Sequence, residues 1–255
     1  MKVSIPWRPK LKAFGAHLLI SALLFTVIVV LTVWLWYPPP FFWIDGGVQI
    51  TLLAASVDII AGPLLTLIVY RPHKPGLVMN LAVIAAIQFG ALAWGVRVLY
   101  EQRPVLMAFV GSNQNRFFPI TAGQASAGER SIEELQALSP GRPPMVFIDL
   151  PENPDEAKAL LTSATTTVLR HTERFHAIDP ARLARIASAE RSRKVYEATS
   201  PTYIQGIDRF VAAHANDADQ YAFIPLYGRF GAALLAISKA DGHLGGVVAK
   251  QMSLR

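Results

Sequence analysis

Cysteine is absent from all 255 residues, which removes disulfides, thiolate metal sites and thiol chemistry from consideration. Charge is scarce as well, at 16% of the chain against about 25% in ordinary soluble domains. The shortage is concentrated at one end. Residues 1–100 contain only two acids, Asp45 and Asp58, beside seven Lys or Arg, while the rest of the chain carries the two signs in near balance. The formal net charge of +6 therefore flanks apolar segments, where it sets topology. It gives no basic face on a folded domain, so no nucleic-acid partner is expected.

Catalytic signatures are missing too. There is no His-Glu-x-x-His, no phosphate-binding loop, no Gly-x-Gly-x-x-Gly and no nucleophile elbow. His171 and His176 are five residues apart and do not share a helical face. An intramembrane aspartyl peptidase needs two carboxylates in one site, and only Asp58 lies within an apolar segment. No catalytic residue, metal site or cofactor is expected.

What the sequence does have is three long apolar runs. The first, Ala13 to Trp36, is free of Asp, Glu, Lys and Arg and reaches about 36 Å as a helix, enough to cross a bilayer. A cleaved signal peptide is the competing reading. The length of the run and its bulky exit, with Trp34, Trp36, Tyr37 and Trp43 around three prolines, favour a span ending in an interfacial aromatic belt. The second run is Val48 to Tyr70 and the third Gly76 to Tyr100. Basic residues precede the first run and fill the connection 71–75, whereas the first connection holds only Asp45. The excess of positive charge places the N-terminus and the second connection in the cytoplasm. Residue 101 onward then lies outside it. The expected organisation is a basic cytoplasmic N-terminus (1–12), a three-helix transmembrane domain (13–100) and an extracytoplasmic α+β domain (101–255), periplasmic if the membrane is a bacterial inner membrane.

Beyond Tyr100 the pattern alternates. Strands are expected at Val105–Val110 and Phe117–Thr121 around a turn at 111–116, at Met145–Leu150, and at Tyr221–Leu226, Ala232–Ser238 and Leu244–Ala249, with Asp241-Gly242 turning the last hairpin. Helices are expected from the capping box Ser131-x-x-Glu134 to Leu138, from Asn153, from Asp179 to Glu197, and from Ser200 to Ala215. Arg182, Arg185, Arg191, Arg193 and Lys194 would then share one helix, as a solvated face or as a contact for anionic lipid or an acidic partner.

Asp58 is the residue that most needs explaining. It lies about ten residues into the second run, so about 15 Å deep. A carboxylate there costs about 2.5–3.5 kcal/mol on insertion scales, so it must face other helices. Gln88 is at matching depth in the third run. The pair is either interhelical glue or a polar site for a partner helix. Gly62-Pro63 follows one turn later; proline bends the helix and glycine permits close approach of another. His17 reads as a polar residue near the cytoplasmic end of the first run.

These residues carry a resemblance. Lys12-Ala-Phe-Gly-Ala-His-Leu-Leu-Ile-Ser21, Trp36-Tyr-Pro, Asp45-Gly-Gly47, the stretch Val57 to Val69, Leu81-Ala-Val-Ile and Arg103-Pro-Val resemble the TfpX/TfpZ family of type IV pilin accessory proteins. The likeness is dense over 10–110, thins over 112–200, and returns at Tyr221 to Arg229. It implies a non-enzymatic inner-membrane factor that contacts the major type IV pilin and promotes assembly, or sets the balance of assembly and retraction. Other pilus components of the inner membrane, and membrane lipid, would be further partners. Asp58, Gly62, Pro63 and Gln88 would form the pilin-docking face. A pilin-modifying membrane enzyme and a membrane-anchored periplasmic ligand sensor are the alternatives; the short cytoplasmic segments argue against the sensor.

Overall fold

The computed structural model describes residues 6–111, 115–153, 155–157, 171–190, 193–214 and 217–252. It divides into two compact units, one of Met1–Trp36 with Gly47–Tyr100, the other of Tyr37–Gly46 with Glu101–Arg255.

The first unit consists of three helices long and apolar enough to cross a membrane: Trp7–Trp36, Gly47–Val69 and Leu77–Glu101. The first begins six residues before the apolar run does. This carries Lys10 onto the helix, where its Nζ donates to the carbonyls of Leu67 (2.9 Å) and Ile68 (3.2 Å). Those carbonyls lie in the last turn of the second helix and have no partner within it, so the lysine both caps them and meets the negative end of the helix dipole. The first two helices pack along one another. At the far ends, Trp36 and Tyr100 meet edge to face at 5.6 Å. The second helix widens to a π-helical turn over Ser56–Ala61, with the Gly62 N–H reaching back five residues to the Val57 carbonyl. Pro63 has no N–H to give its own preceding turn, and the wider turn absorbs that loss just before it.

The second unit is a seven-stranded sheet in the order β4-β3-β1-β2-β5-β6-β7. The strands are β1 Pro104–Val110, β2 Arg116–Thr121, β3 Met145–Ile148, β4 Phe175–His176, β5 Tyr221–Tyr227, β6 Gly231–Ser238 and β7 Leu244–Met252. β1 pairs antiparallel with β2 and parallel with β3, and β2 meets β5 in parallel. β5, β6 and β7 form an antiparallel meander. Every residue of β1 and β3 is buried, which is why these strands read as unbroken apolar runs. Three apolar helices followed by a mixed α+β sheet domain is the fold class expected from the sequence.

The helices of this unit follow their capping signals. Ser131 and Glu134 form the reciprocal capping box, though the helix stops at Gln136. Thr121 and Gln124 form another that opens the short helix Ala122–Ala125. The same Thr-x-x-Gln signal stands in the sequence and was not read there. The helix from Asn153 and the turn at 112–114 lie largely outside the described residues. The single helix expected from Asp179 to Glu197 is two, Pro180–Ser188 and Arg193–Thr199. The chain leaves helical geometry to send Glu190 toward the sheet, where its carboxylate accepts from the Phe223 N–H (3.2 Å) and pairs with Lys239 (3.3 Å). A buried strand N–H needs an acceptor more than a surface helix needs another turn.

Candidate functional site

Two polar sites are built from the residues that the sequence singles out, one in each unit. In the helical unit, a groove of about 420 Å³ opens among the three helices, with His17, Ser21, Asp58, Thr66 and Gln88 set among apolar side chains. Asp58 sits on the π-helical turn and is only 7% exposed. Among the described residues it makes no hydrogen bond or ion pair. Gln88 lies against Gly62 so closely that a Cβ there would fall 1.8 Å from its Nε2. Its Oε1 is buried and has no hydrogen-bond partner among the described residues. The groove therefore presents unpaired acceptors from two helices, a costly arrangement inside hydrocarbon. Gly62 and Pro63 are buried beneath it.

His17, which the sequence places near the cytoplasmic end of the first run, takes part in the groove. Because the first helix starts at Trp7, His17 is set about 15 Å along it and lines the groove, with its Nδ1 2.6 Å from Thr66 Oγ1. Thr66 is one turn beyond Gly62, on the same helical face. That position was the only clue to it in the sequence.

In the sheet unit, Tyr37–Gly46 packs with the strands, although the sequence reading counted this connection with the spans. Asp45 is 1% exposed. Arg229, in the turn between β5 and β6, donates to it from its backbone N–H (3.2 Å) and Nε (3.1 Å), and from Nη2 to the Asp45 carbonyl (2.7 Å). Nη1 binds Gln102 (2.6 Å), and the Phe230 N–H donates to the Ile44 carbonyl (2.8 Å). Gly228 admits this contact, since a Cβ there would lie 2.3 Å from the Ile44 oxygen. Burial holds the Asp45 carboxyl above its ordinary range, against the opposing pull of the Arg229 charge. Burial likewise pushes the Tyr37 hydroxyl upward. The connection between the first two apolar helices is thus an integral part of the sheet domain.

The basic cluster is divided. Arg182 and Arg185 clamp Asp149, with Arg182 Nη2 at 2.6 Å and Arg185 Nη1 at 3.1 Å, and Arg182 also bonds its own cap Asp179. His176 Nε2 stands 3.7 Å from Asp149, while His171 pairs with Glu173. Lys194 is on the helix Arg193–Thr199, and Arg191 lies outside the described residues. An acid held by two arginines is a bracket between strand and helix.

The family model described as fimbrial assembly protein FimB matches residues 5–46. The fimbrial assembly protein of serogroups C1 and C2 of Dichelobacter nodosus is 32% identical over 100 residues, covering 38% of this chain and 76% of that protein. Those of serogroups E1 and I from the same organism are also 32% identical over 100 residues, here 39% of their length. No solved structure matches the chain.

Proposed function

Since the chain belongs to the fimbrial assembly protein FimB family, we propose that it serves type IV pilus assembly as a non-enzymatic accessory factor of the bacterial inner membrane. In this reading the basic N-terminus is cytoplasmic, the sheet domain is periplasmic, and the partner is the transmembrane helix of the major pilin. The residues quoted above point to the TfpX/TfpZ type within such factors. The observation that carries the reading is the groove: Asp58 and the Gln88 carbonyl are acceptors with no hydrogen-bond donor among the described residues, and an ionisable group within a membrane span is a functional candidate by default. A helix that brings a hydrogen-bond donor or a positive charge to that depth would satisfy both, with Gly62 and Pro63 shaping the floor.

A photocrosslinker at Phe89, in the groove, is expected to capture pilin in the membrane, and one at Leu53, outside the groove lining, is not. Asp58→Asn keeps the shape and removes the charge; Asp58→Leu removes both. Both variants should insert at normal levels and lose pilin capture and surface pili. Normal piliation with Asp58→Asn at wild-type abundance would overturn charge pairing and leave Asp58 as glue between helices.

A further inference from the structure

A second recess lies in the sheet unit. It has a volume of about 370 Å³ and is bounded by Pro39 and Pro40 of the first connection, by Thr202 and Arg209 of the helix Pro201–Ala213, and by residues 247–250 of β7. Successive side chains of a strand point to opposite faces. A recess lined by four consecutive residues therefore runs along the strand's edge. β7 is the last strand of the sheet, so its edge is open there. The occupant is not another strand, however. The pairing slips between Leu234 and Leu235, leaving Val248 as an extra residue, and slips again between Ala236 and Ile237. Such bulges, together with Lys250, are devices that discourage strand addition.

The chemistry of the lining selects an anion. Arg209 and Lys250 supply two cations, Thr202 a hydroxyl, and among the described residues no carboxylate lines the recess. Arg209 is steadied through Nε, which donates to the Gln205 carbonyl (3.1 Å). Lys250 Nζ stands 5.6 Å from the centre of the half-exposed Trp43 ring.

Chain connectivity supplies the depth. Pro39 is three residues past Trp36, where the first apolar helix ends. Three residues reach at most about 10 Å, and the headgroup layer is about 5–8 Å thick on each side of the hydrocarbon. Tryptophan favours the same layer. We propose that this recess binds the phosphate of an anionic phospholipid, with Arg209 and Lys250 on its oxygens and the Thr202 hydroxyl donating beside them. The site would fix the sheet domain to the membrane surface, whether or not pilin occupies the helical groove.

The test uses the purified full chain in neutral detergent, titrated with dihexanoyl phosphatidylglycerol, dihexanoyl phosphatidylcholine, sodium phosphate and hexaglutamate, with native mass spectrometry as the readout. One saturable phosphatidylglycerol site is expected. Arg209→Gln with Lys250→Gln should weaken it about thirty-fold, and Lys250→Gln alone about five-fold. Arg209→Lys with Lys250→Arg should retain binding. Lys194→Gln, an equal charge loss on the helix Arg193–Thr199, should change nothing. Equal phosphatidylglycerol affinity in wild type and the double glutamine variant would overturn the site. So would an equal loss in Lys194→Gln, which would mean unspecific charge attraction. Should the two cations govern binding of free phosphate or hexaglutamate but not of phosphatidylglycerol, the lipid assignment fails. The single Lys250→Gln change, on an exposed side chain, keeps the test valid if the double variant unfolds.

Discussion

The two acids among the first hundred residues are both buried, and the protein treats them in opposite ways. Asp45 receives three hydrogen bonds on its carboxylate and carbonyl from a single arginine, Arg229, although that arginine is 184 residues away. Asp58, at 7% exposure, receives none from the described residues, and the nearby Gln88 carbonyl is equally bare. A buried acid bonded in the manner of Asp45 joins two parts of a fold, although its second oxygen, Oδ2, has no hydrogen-bond partner among the described residues, and its loss is felt as instability. Asp58, bonded at neither oxygen by the described residues, carries a cost in hydrocarbon that a partner helix would offset, and its loss should be felt as failed association. The contrast separates structural from functional polarity within one short stretch of chain.

The sharpest way to break that contrast is to make Asp45 resemble Asp58. Arg229→Met strands a carboxylate at 1% exposure. Breaking a buried pair from this side typically costs about 3–5 kcal/mol, with the lower part of that range expected because Arg229 is itself partly solvated. Asp45→Asn should cost clearly less, since the arginine can turn to water. The pH dependence follows from the direction of the Asp45 shift. Its folded carboxyl is held above the unfolded value by burial, so the folded state binds the proton more tightly, and stability from this group falls as pH rises through that range. Without Arg229 the opposing pull is gone. The deficit of Arg229→Met should then be full at neutral pH and shrink as pH is lowered toward the carboxylate range. Thermal unfolding of the purified chain at several pH values checks both the order of the variants and the sign.

Gly62 tests the other half of the contrast at smaller cost. A Cβ at this position would collide with the end of the Gln88 side chain, which is flexible and can swing aside. Gly62→Ala should therefore lower stability only by about 1 kcal/mol and leave abundance nearly normal, while displacing the Gln88 carbonyl from the groove. Pilin crosslinking should fall much more than stability does. Adding Gln88→Ala should restore the packing without restoring the crosslink. Recovery of crosslinking in the double variant would mean that Gln88 takes no part in docking.

The fold and the two sites were legible to different degrees, for reasons that lie in the range of the interactions. The spans, the β5–β7 meander and the Ser131 cap are local patterns of hydropathy and turn chemistry, and they stand in the structure nearly where the sequence puts them. Asp58 was legible because a lone acid in an apolar run is anomalous wherever it faces. The break after Ser188 was not, because it depends on Phe223 and Lys239 receiving Glu190, a contact across more than thirty residues. Neither was the fate of Tyr37–Gly46. Asp45-Gly-Gly47 and Gly228-Arg229 were both conspicuous, yet only folding shows that one completes the other. The bond between His17 and Thr66 was not legible, because it depends on how the first two helices pack against one another.

The hydrogen bond between His17 and Thr66 offers the smallest expected effect and the finest discrimination. It joins the first two helices directly, at 2.6 Å, beside a groove whose other polar groups are left open. If the contrast between paired and unpaired groups holds, this bond belongs with Asp45 and not with Asp58, despite lying in the same groove. Thr66→Val keeps the volume close and removes the hydroxyl. Interhelical side-chain bonds in membranes average about 0.6 kcal/mol, so the change should lower resistance to thermal unfolding by a degree or two and leave piliation and pilin crosslinking intact. His17→Phe removes the partner from the other side and should give a loss of similar size. Combining the two should cost less than the sum, because one bond cannot be lost twice. A strong loss of pilin crosslinking from Thr66→Val, with the chain still abundant, would place Thr66 and His17 among the groups that meet the partner, and the division between satisfied and unsatisfied polarity would then fail within the groove itself.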